Sequence, residues 1–207
     1  MHTPPCEAAR AALTRLKTGN QRFVDNVRSI ESLVSHANRG ALVGGQSPFA
    51  IVLACSDSRA PAEILFDCGL GDLFIVRVAG NVVSPVVVGS VEFAAVTFGT
   101  PLVLVMGHSG CGAVNATIEA LSGQHAISEN VLDIVGRIEV SARTAMETGL
   151  PRAQQVALAV RSNIRASVDH LRHGSRLLEQ RVLGGELWVV GAEYSLETGR
   201  VEFFDAD

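Results

Sequence analysis

Hydrophobic residues in this chain fall into two patterns, short unbroken runs and stripes at helical spacing. The runs at 49–54 and 102–107 are continuous rather than alternating. Strands of a parallel sheet, buried on both faces, read this way. Between them, residues 86–98 have the length and apolar character of a crossover helix, so the sheet core is expected to span 49–106. Ala9, Leu13, Leu16, Asn20, Phe23 and Val27 recur every three or four positions, which predicts an amphipathic helix over 6–27. Gly19 interrupts that helix at a cost of about 1 kcal/mol relative to Ala, so a close neighbour is expected against it. Val156, Val160, Ile164 and Leu171 predict a second long helix over 153–173.

Two further strands, 187–190 and 200–204, flank a turn at Glu197-Thr198-Gly199. Residues 28–48 read as a loop with one short helix, and 124–153, with Gly149-Leu150-Pro151, are the most variable-looking stretch and receive no element. With no repeat, linker or low-complexity segment, residues 1–207 are expected to form one α/β domain. Its central sheet is mainly parallel and flanked by helices, with an antiparallel C-terminal edge strand. A loop long enough to reach a neighbour follows the first helix. Residues 1–30 are therefore expected to be a helical arm that packs across a dimer.

Composition narrows the picture. Of the 207 residues 47% are hydrophobic and 18% charged, with a net charge of −4, and mean hydropathy is +0.28. A slightly acidic chain has no basic footprint for nucleic acid. No apolar run reaches the ~18 residues of a membrane span, and the start lacks the basic-then-apolar order of a secretory signal. An apolar surplus in a chain without a membrane segment predicts buried subunit interfaces, as a homodimer or homotetramer.

Two segments carry the chemistry. Cys55-Ser56-Asp57-Ser58-Arg59 follows the first strand, and His108-Ser109-Gly110-Cys111-Gly112 follows the strand at 102–107. Each leads into a helix, starting near Pro61 and at Gly112, so both sit at carboxyl ends of parallel strands, where open α/β sheets place their sites. Alone, a strand-end Cys is usually a small buried hydrophobe. Together, two thiols and an imidazole suit one zinc ion per chain and leave a tetrahedral position open, the mark of a catalytic site. Asp57 is placed to fill that position or to orient a water there, which predicts a zinc-bound hydroxide. Two thiolates cancel the zinc charge and weaken its hold on the water proton. A compensating pair is therefore expected, with Arg59 keeping Asp57 ionised and Asp57 accepting from the water. Cys6 and Cys68 remain, either paired as a disulfide or, the favoured reading, as an exposed terminal thiol and a buried inert one. Thiolate ligands and no export signal favour a reducing cytoplasm.

These motifs resemble those of the β-class carbonic anhydrases, Cys-x-Asp-x-Arg and His-x-x-Cys at about this separation. Residues 16–23, 71–81 and 191–199 resemble the family's first helix, second strand and closing hairpin, and the likeness runs over roughly residues 7–204. The resemblance implies reversible hydration of carbon dioxide to bicarbonate and a proton, with zinc on Cys55, His108 and Cys111 and Asp57 and Arg59 as catalytic residues. It also implies a closed state with Asp57 as fourth ligand, and a substrate pocket of Gln46, Phe74, Phe93 and the Gly112 N–H. Two positions depart from the family pattern. Val52 stands where some members have a Trp that builds a second bicarbonate pocket, and Val78 stands where Asn is common. Nothing assigns a proton shuttle, and His2, His36, His125, His170 and His173 read as solvated residues. Carbonyl sulfide and carbon disulfide hydrolases share the metal set and are the enzymatic alternative; a non-catalytic zinc sensor is the other.

Overall fold

The computed structural model describes residues 4–29, 39–123 and 128–204. In chain order the elements are α1 (Glu7–Val24), β1 (Ala50–Ala54), α2 (Ala62–Leu65), β2 (Leu73–Arg77), α3 (Pro85–Thr97), β3 (Leu102–His108), α4 (Gly112–Leu121), α5 (Glu129–Met146), α6 (Arg152–His173), α7 (Arg176–Leu183), β4 (Trp188–Tyr194) and β5 (Val201–Phe204). Short 3-10 turns lie at Arg39–Leu42 and Ala79–Asn81. The sheet order is β2-β1-β3-β4-β5. The first four strands are parallel and β5 runs antiparallel to β4, as the strand pattern predicts.

Every residue of β1 and β3 is buried, which accounts for the unbroken apolar runs. Along β1 the side chains alternate between two cores. Ile51 and Leu53 join one that α3, α4, α5, α6 and α7 cover, while Ala50, Val52 and Ala54 join another beneath α1 and α2. A fully buried Leu or Ile contributes about 1.5–3 kcal/mol, so these two short strands anchor the sheet.

Gly107 and Gly191 bring α6 unusually close. A Cβ at Gly107 would lie 2.7 Å from Ile164 Cδ1, and one at Gly191 would lie 3.0 Å from Ile164 Cγ2. The backbones of β3 and β4 thus replace side chains as the floor on which Ile164 rests.

The first helix packs inside its own chain. Ala9, Leu13 and Leu16 are buried, and Gly19 meets the backbone of Phe66, where a Cβ would sit 1.9 Å from the carbonyl oxygen. Asn20 ties the helix to the C-terminal hairpin. Its Nδ2 donates to Gly199 O (3.0 Å) and Leu65 O (3.3 Å), and its Oδ1 accepts from Val201 N (2.8 Å). The stripe of α1 is buried against the chain's own α2 and sheet, while Val27 beyond it is exposed.

Two helices were absent from the sequence reading. α5 occupies most of 124–153, burying Val135, Ile138, Ala142 and Ala145, and α7 is capped by Ser175, whose side chain accepts from Leu178 N. β4 continues to Tyr194, past the expected end at 190, because it pairs with β3 as far as His108. Of the histidines, His170 and His173 lie on the exposed face of α6, while His2, His36 and His125 lie outside the described residues.

Candidate metal centre

Parallel pairing of Ala54 with Met106 puts the ends of β1 and β3 side by side. Cys55 follows the first strand and His108 closes the second. Gly110 adopts a left-handed φ of 64°, turning the chain so that Cys111 caps α4. The turn is locked by Ser109, whose N–H donates to Tyr194 O (2.9 Å) and whose Oγ accepts from Leu196 N (3.0 Å).

Cys55, His108 and Cys111 are all buried, and their ligand atoms lie within 4.8 Å of one another. The two Sγ atoms are 3.9 Å apart. That is too far for a disulfide, and close to the roughly 3.8 Å that two sulfurs span on a tetrahedral zinc with Zn–S near 2.3 Å. His108 Nδ1 lies 3.0 Å from Ser109 O, which fixes the tautomer with the proton on Nδ1. Its Nε2 is left buried with no hydrogen-bond partner among the described residues. A buried acceptor without a partner is costly, and one that faces two thiols fits a metal ligand.

The charges agree. The hydrogen bond with Cys111 lowers the Cys55 thiol well below its usual range against the cost of burial, helped by His108 and the Gly80 N–H. The Cys111 thiol moves up because it gives that hydrogen bond, and burial pushes the same way. Burial pulls the His108 imidazole down, but its contacts with Cys55 outweigh this and leave it raised. The Cys55 thiol and the His108 imidazole thus favour one another's charged forms.

Asp57 stands next to it, with Oδ2 3.7 Å from His108 Nε2. Arg59 grips this carboxylate with two prongs, Nε to Oδ1 (3.0 Å) and Nη2 to Oδ2 (2.8 Å), and its backbone N–H adds a third bond to Oδ1 (2.9 Å). Arg59's hydrogen bonds hold Asp57 well below the usual carboxylate range, against a small cost of burial. From β2, Arg77 donates to Cys55 O (3.0 Å) and Asp57 O (2.6 Å), fixing the backbone of the loop. Gly112 is the first residue of α4, and beyond its chain neighbours and its own helix nothing described lies within 4 Å of where its Cβ would be.

Cys55, Asp57, Arg59, His108, Cys111 and Gly112 are therefore assembled by one chain. Three other expected residues are not. Phe74 pairs with Ile51, four residues before Cys55, so it sits roughly 13 Å down the sheet at about 3.3 Å per residue. There it packs with Phe93 and Phe98, ring centroids 6.2 and 6.1 Å away, and Phe93 is 54% exposed. Gln46 is exposed in the loop before β1, at the far end of that strand from the thiols. It lines a shallow concavity of about 570 Å³ with Leu42, Val43 and Leu70.

Neither remaining thiol is in a disulfide. Cys6 is half-buried rather than exposed, because its N–H donates to Gly185 O (3.0 Å). Cys68 is half-buried too, and burial pushes its thiol up to about 12. The sequence reading missed the Gly80 N–H, which donates to Cys55 Sγ (3.3 Å). The Gly80-Asn81 turn behind β2 is visible in sequence, but its contact with a thiol is not.

A family model described as carbonic anhydrase matches residues 50–201. "Carbonic anhydrase 2" of Mycobacterium tuberculosis is 38% identical over 195 residues, covering 94% of this chain and 92% of that protein. A carbonic anhydrase of Mycolicibacterium smegmatis is 40% identical, covering 93% and 91%. The solved β-carbonic anhydrase CcaA superposes with a TM-score of 0.76 at 27% identity, covering 93% of this chain and 95% of that one.

Proposed function

The chain belongs to the carbonic anhydrase family, in its β class, and on that premise we propose that it hydrates carbon dioxide reversibly to bicarbonate and a proton at a zinc ion held by Cys55, His108 and Cys111. The observation that carries this reading is the His108 Nε2, buried without a hydrogen-bond partner among the described residues, close to two thiols and beside a carboxylate that an arginine clamps. When bound, zinc supplies an acidified water as the nucleophile toward carbon dioxide.

The protein's own groups do the rest. Asp57 accepts a hydrogen bond from the attacking water and turns a lone pair toward the substrate. Its reach toward His108 Nε2 also lets it serve as fourth ligand in a closed state. Arg59 keeps Asp57 ionised and sets its angle. Because two thiolates neutralise the metal charge, this pair offsets part of the lost acidity. The Gly112 N–H, at the start of α4, donates to an oxygen of bicarbonate.

Gln46, Phe74 and Phe93 lie too far from Cys55 to line this pocket within one chain, so they contribute only from a second copy. That ties the substrate pocket to a homodimer or homotetramer. Support comes from α3, which is apolar on most sides yet leaves Val86 79%, Phe93 54% and Val96 50% exposed. Such a helix is normally covered. Among the described residues no helix is long and apolar enough to cross a membrane, and thiolate ligands suit a reducing compartment such as the cytoplasm.

The test is carbon dioxide hydration by purified protein of measured zinc content, beside turnover of carbonyl sulfide. Expected is about one zinc per chain and hydration that disappears with the metal. A zinc-loaded protein inert toward carbon dioxide would overturn the reading, and one active only on carbonyl sulfide would replace it with a hydrolase.

A further inference from the structure

α6 carries two buried polar side chains, Asn163 and Ser167, in a face otherwise built from residues such as Val160, Ile164 and Leu171. Polar groups placed there cost free energy unless they are hydrogen-bonded. Both spend their bonds on one short segment. Asn163 Nδ2 donates to Gly80 O (2.8 Å) and Ser167 Oγ donates to Asn81 O (3.1 Å). The close approach of α6 over Gly107 and Gly191 is what brings these side chains within reach.

The segment they hold is a demanding one. Gly80 and Asn81 both have left-handed φ, 71° and 45°. At Gly80 a Cβ would also come within 2.7 Å of Ile138 Cδ1 and 3.1 Å of Ala113 Cβ. Asn81 Nδ2 has no partner among the described residues, so Asn81 serves here through its tolerance of that backbone rather than through its amide. The result is that the Gly80 N–H points at Cys55 Sγ, 3.3 Å away.

We propose that Asn163 and Ser167 are positioning residues for the metal centre. They fix the Gly80-Asn81 turn so that its N–H draws electron density from the Cys55 sulfur and limits what that thiolate gives the metal. The inference rests on the proposed zinc site and adds a second helix to it. A hydrogen bond to an anionic sulfur is charge-assisted, and outer-shell partners of this kind tune a metal as well as orient its ligands. Asp57 and Arg59 act on the open side of the site; this turn acts from behind.

Cobalt(II)-loaded protein provides a readout independent of activity. Ser167→Ala removes one oxygen, Asn163→Leu replaces the amide at similar volume, and Val160→Ala loosens the same helix without touching either bond. The sulfur-to-cobalt charge-transfer band is expected to move to longer wavelength in Ser167→Ala and further in Asn163→Leu, and to stay in place in Val160→Ala. Zinc affinity, read by chelator competition, is expected to fall about tenfold or more in Asn163→Leu, because the released turn no longer holds the Cys55 sulfur in place and that loss outweighs its stronger donation. Ser167→Ala decides the matter even if Asn163→Leu does not fold. Band and affinity equal to wild type in Ser167→Ala, or an equal shift in Val160→Ala, would overturn the inference alone. A wild-type protein without a thiolate–cobalt band that Cys55→Ser weakens would overturn the zinc site and this inference with it.

Discussion

Gly19→Ala sets two opposing effects against each other. Ala is favoured over Gly inside a helix by about 1 kcal/mol, so at an exposed position the change would stabilise α1. Here the new methyl would sit 1.9 Å from the Phe66 carbonyl oxygen and 2.7 Å from its carbon, and backbone cannot swing aside as a side chain does. α1 must move by about 1 Å to restore contact distance, at an overpacking cost of about 1–3 kcal/mol. That shift pulls on the next residue, Asn20, whose three bonds to Leu65, Gly199 and Val201 contribute about 1 kcal/mol each. The net expectation is a loss of about 2–4 kcal/mol, which lowers the urea midpoint by about 1–2 M for a slope near 2 kcal/mol/M. Urea unfolding followed by circular dichroism, at one fixed protein concentration, reads this directly. Asn20→Ala should lose part of the same energy, and the double variant less than the sum, because the two changes share partners. A raised midpoint for Gly19→Ala would refute the packing account of this glycine.

Cys111→Ser is expected to lose most of the bound zinc, and full occupancy by elemental analysis would remove Cys111 from the ligand set. Arg59 keeps Asp57 ionised far into acid, so its stabilising contribution is complete above about pH 4 and fades only as pH falls further. Carbon dioxide hydration should rise between roughly pH 6 and pH 9 without any protonation of Asp57, fall at every pH in Arg59→Ala, and be weak in zinc-loaded Asp57→Ala. Full activity of Asp57→Ala over that range would discard its role. With its thiol near 12, Cys68 should exist as thiolate at only about one part in ten thousand at pH 8. Iodoacetamide is expected to spare it in folded protein and modify it in urea, as mass spectrometry of the labelled peptide reports. Wild type should be dimeric or larger by light scattering at micromolar concentration, and Phe93→Asp, which charges an exposed apolar helix, should shift it toward monomer. A monomeric wild type would sink the subunit-sharing pocket.

Much of this was legible in sequence because the site lies where local pattern is strongest. Strands buried on both faces leave unbroken runs, and the metal motifs mark their ends, so Cys55, His108 and Cys111 could be placed at one edge before any coordinates. α5 escaped because its buried face is made partly of Ala142, Ala145 and Ser141, while Val131, Leu132 and Val140 lie exposed outside it, which blurs the helical period. α7 escaped because only Leu178 and Val182 of its eight residues are buried, too few to set a stripe. The helix expected over 6–27 is present as Glu7–Val24, because its buried positions recur at helical spacing. The separation of Gln46 and Phe74 from Cys55 was likewise invisible, since nearness in sequence says nothing of which end of a strand faces the chemistry. Asn163 and Ser167 needed the backbone of β3 before their purpose could be seen.

The pairing of Ala54 with Met106 has a consequence for how the chain reaches its fold. A slip of one residue between β1 and β3 would displace the two half-sites by about 3.3 Å and turn every side chain of the slipped strand to the opposite face. Metal–ligand distances tolerate about 0.2 Å. A zinc ion held as proposed by Cys55, His108 and Cys111 would therefore fit one strand alignment and none of its neighbours, so that binding it would favour the correct register.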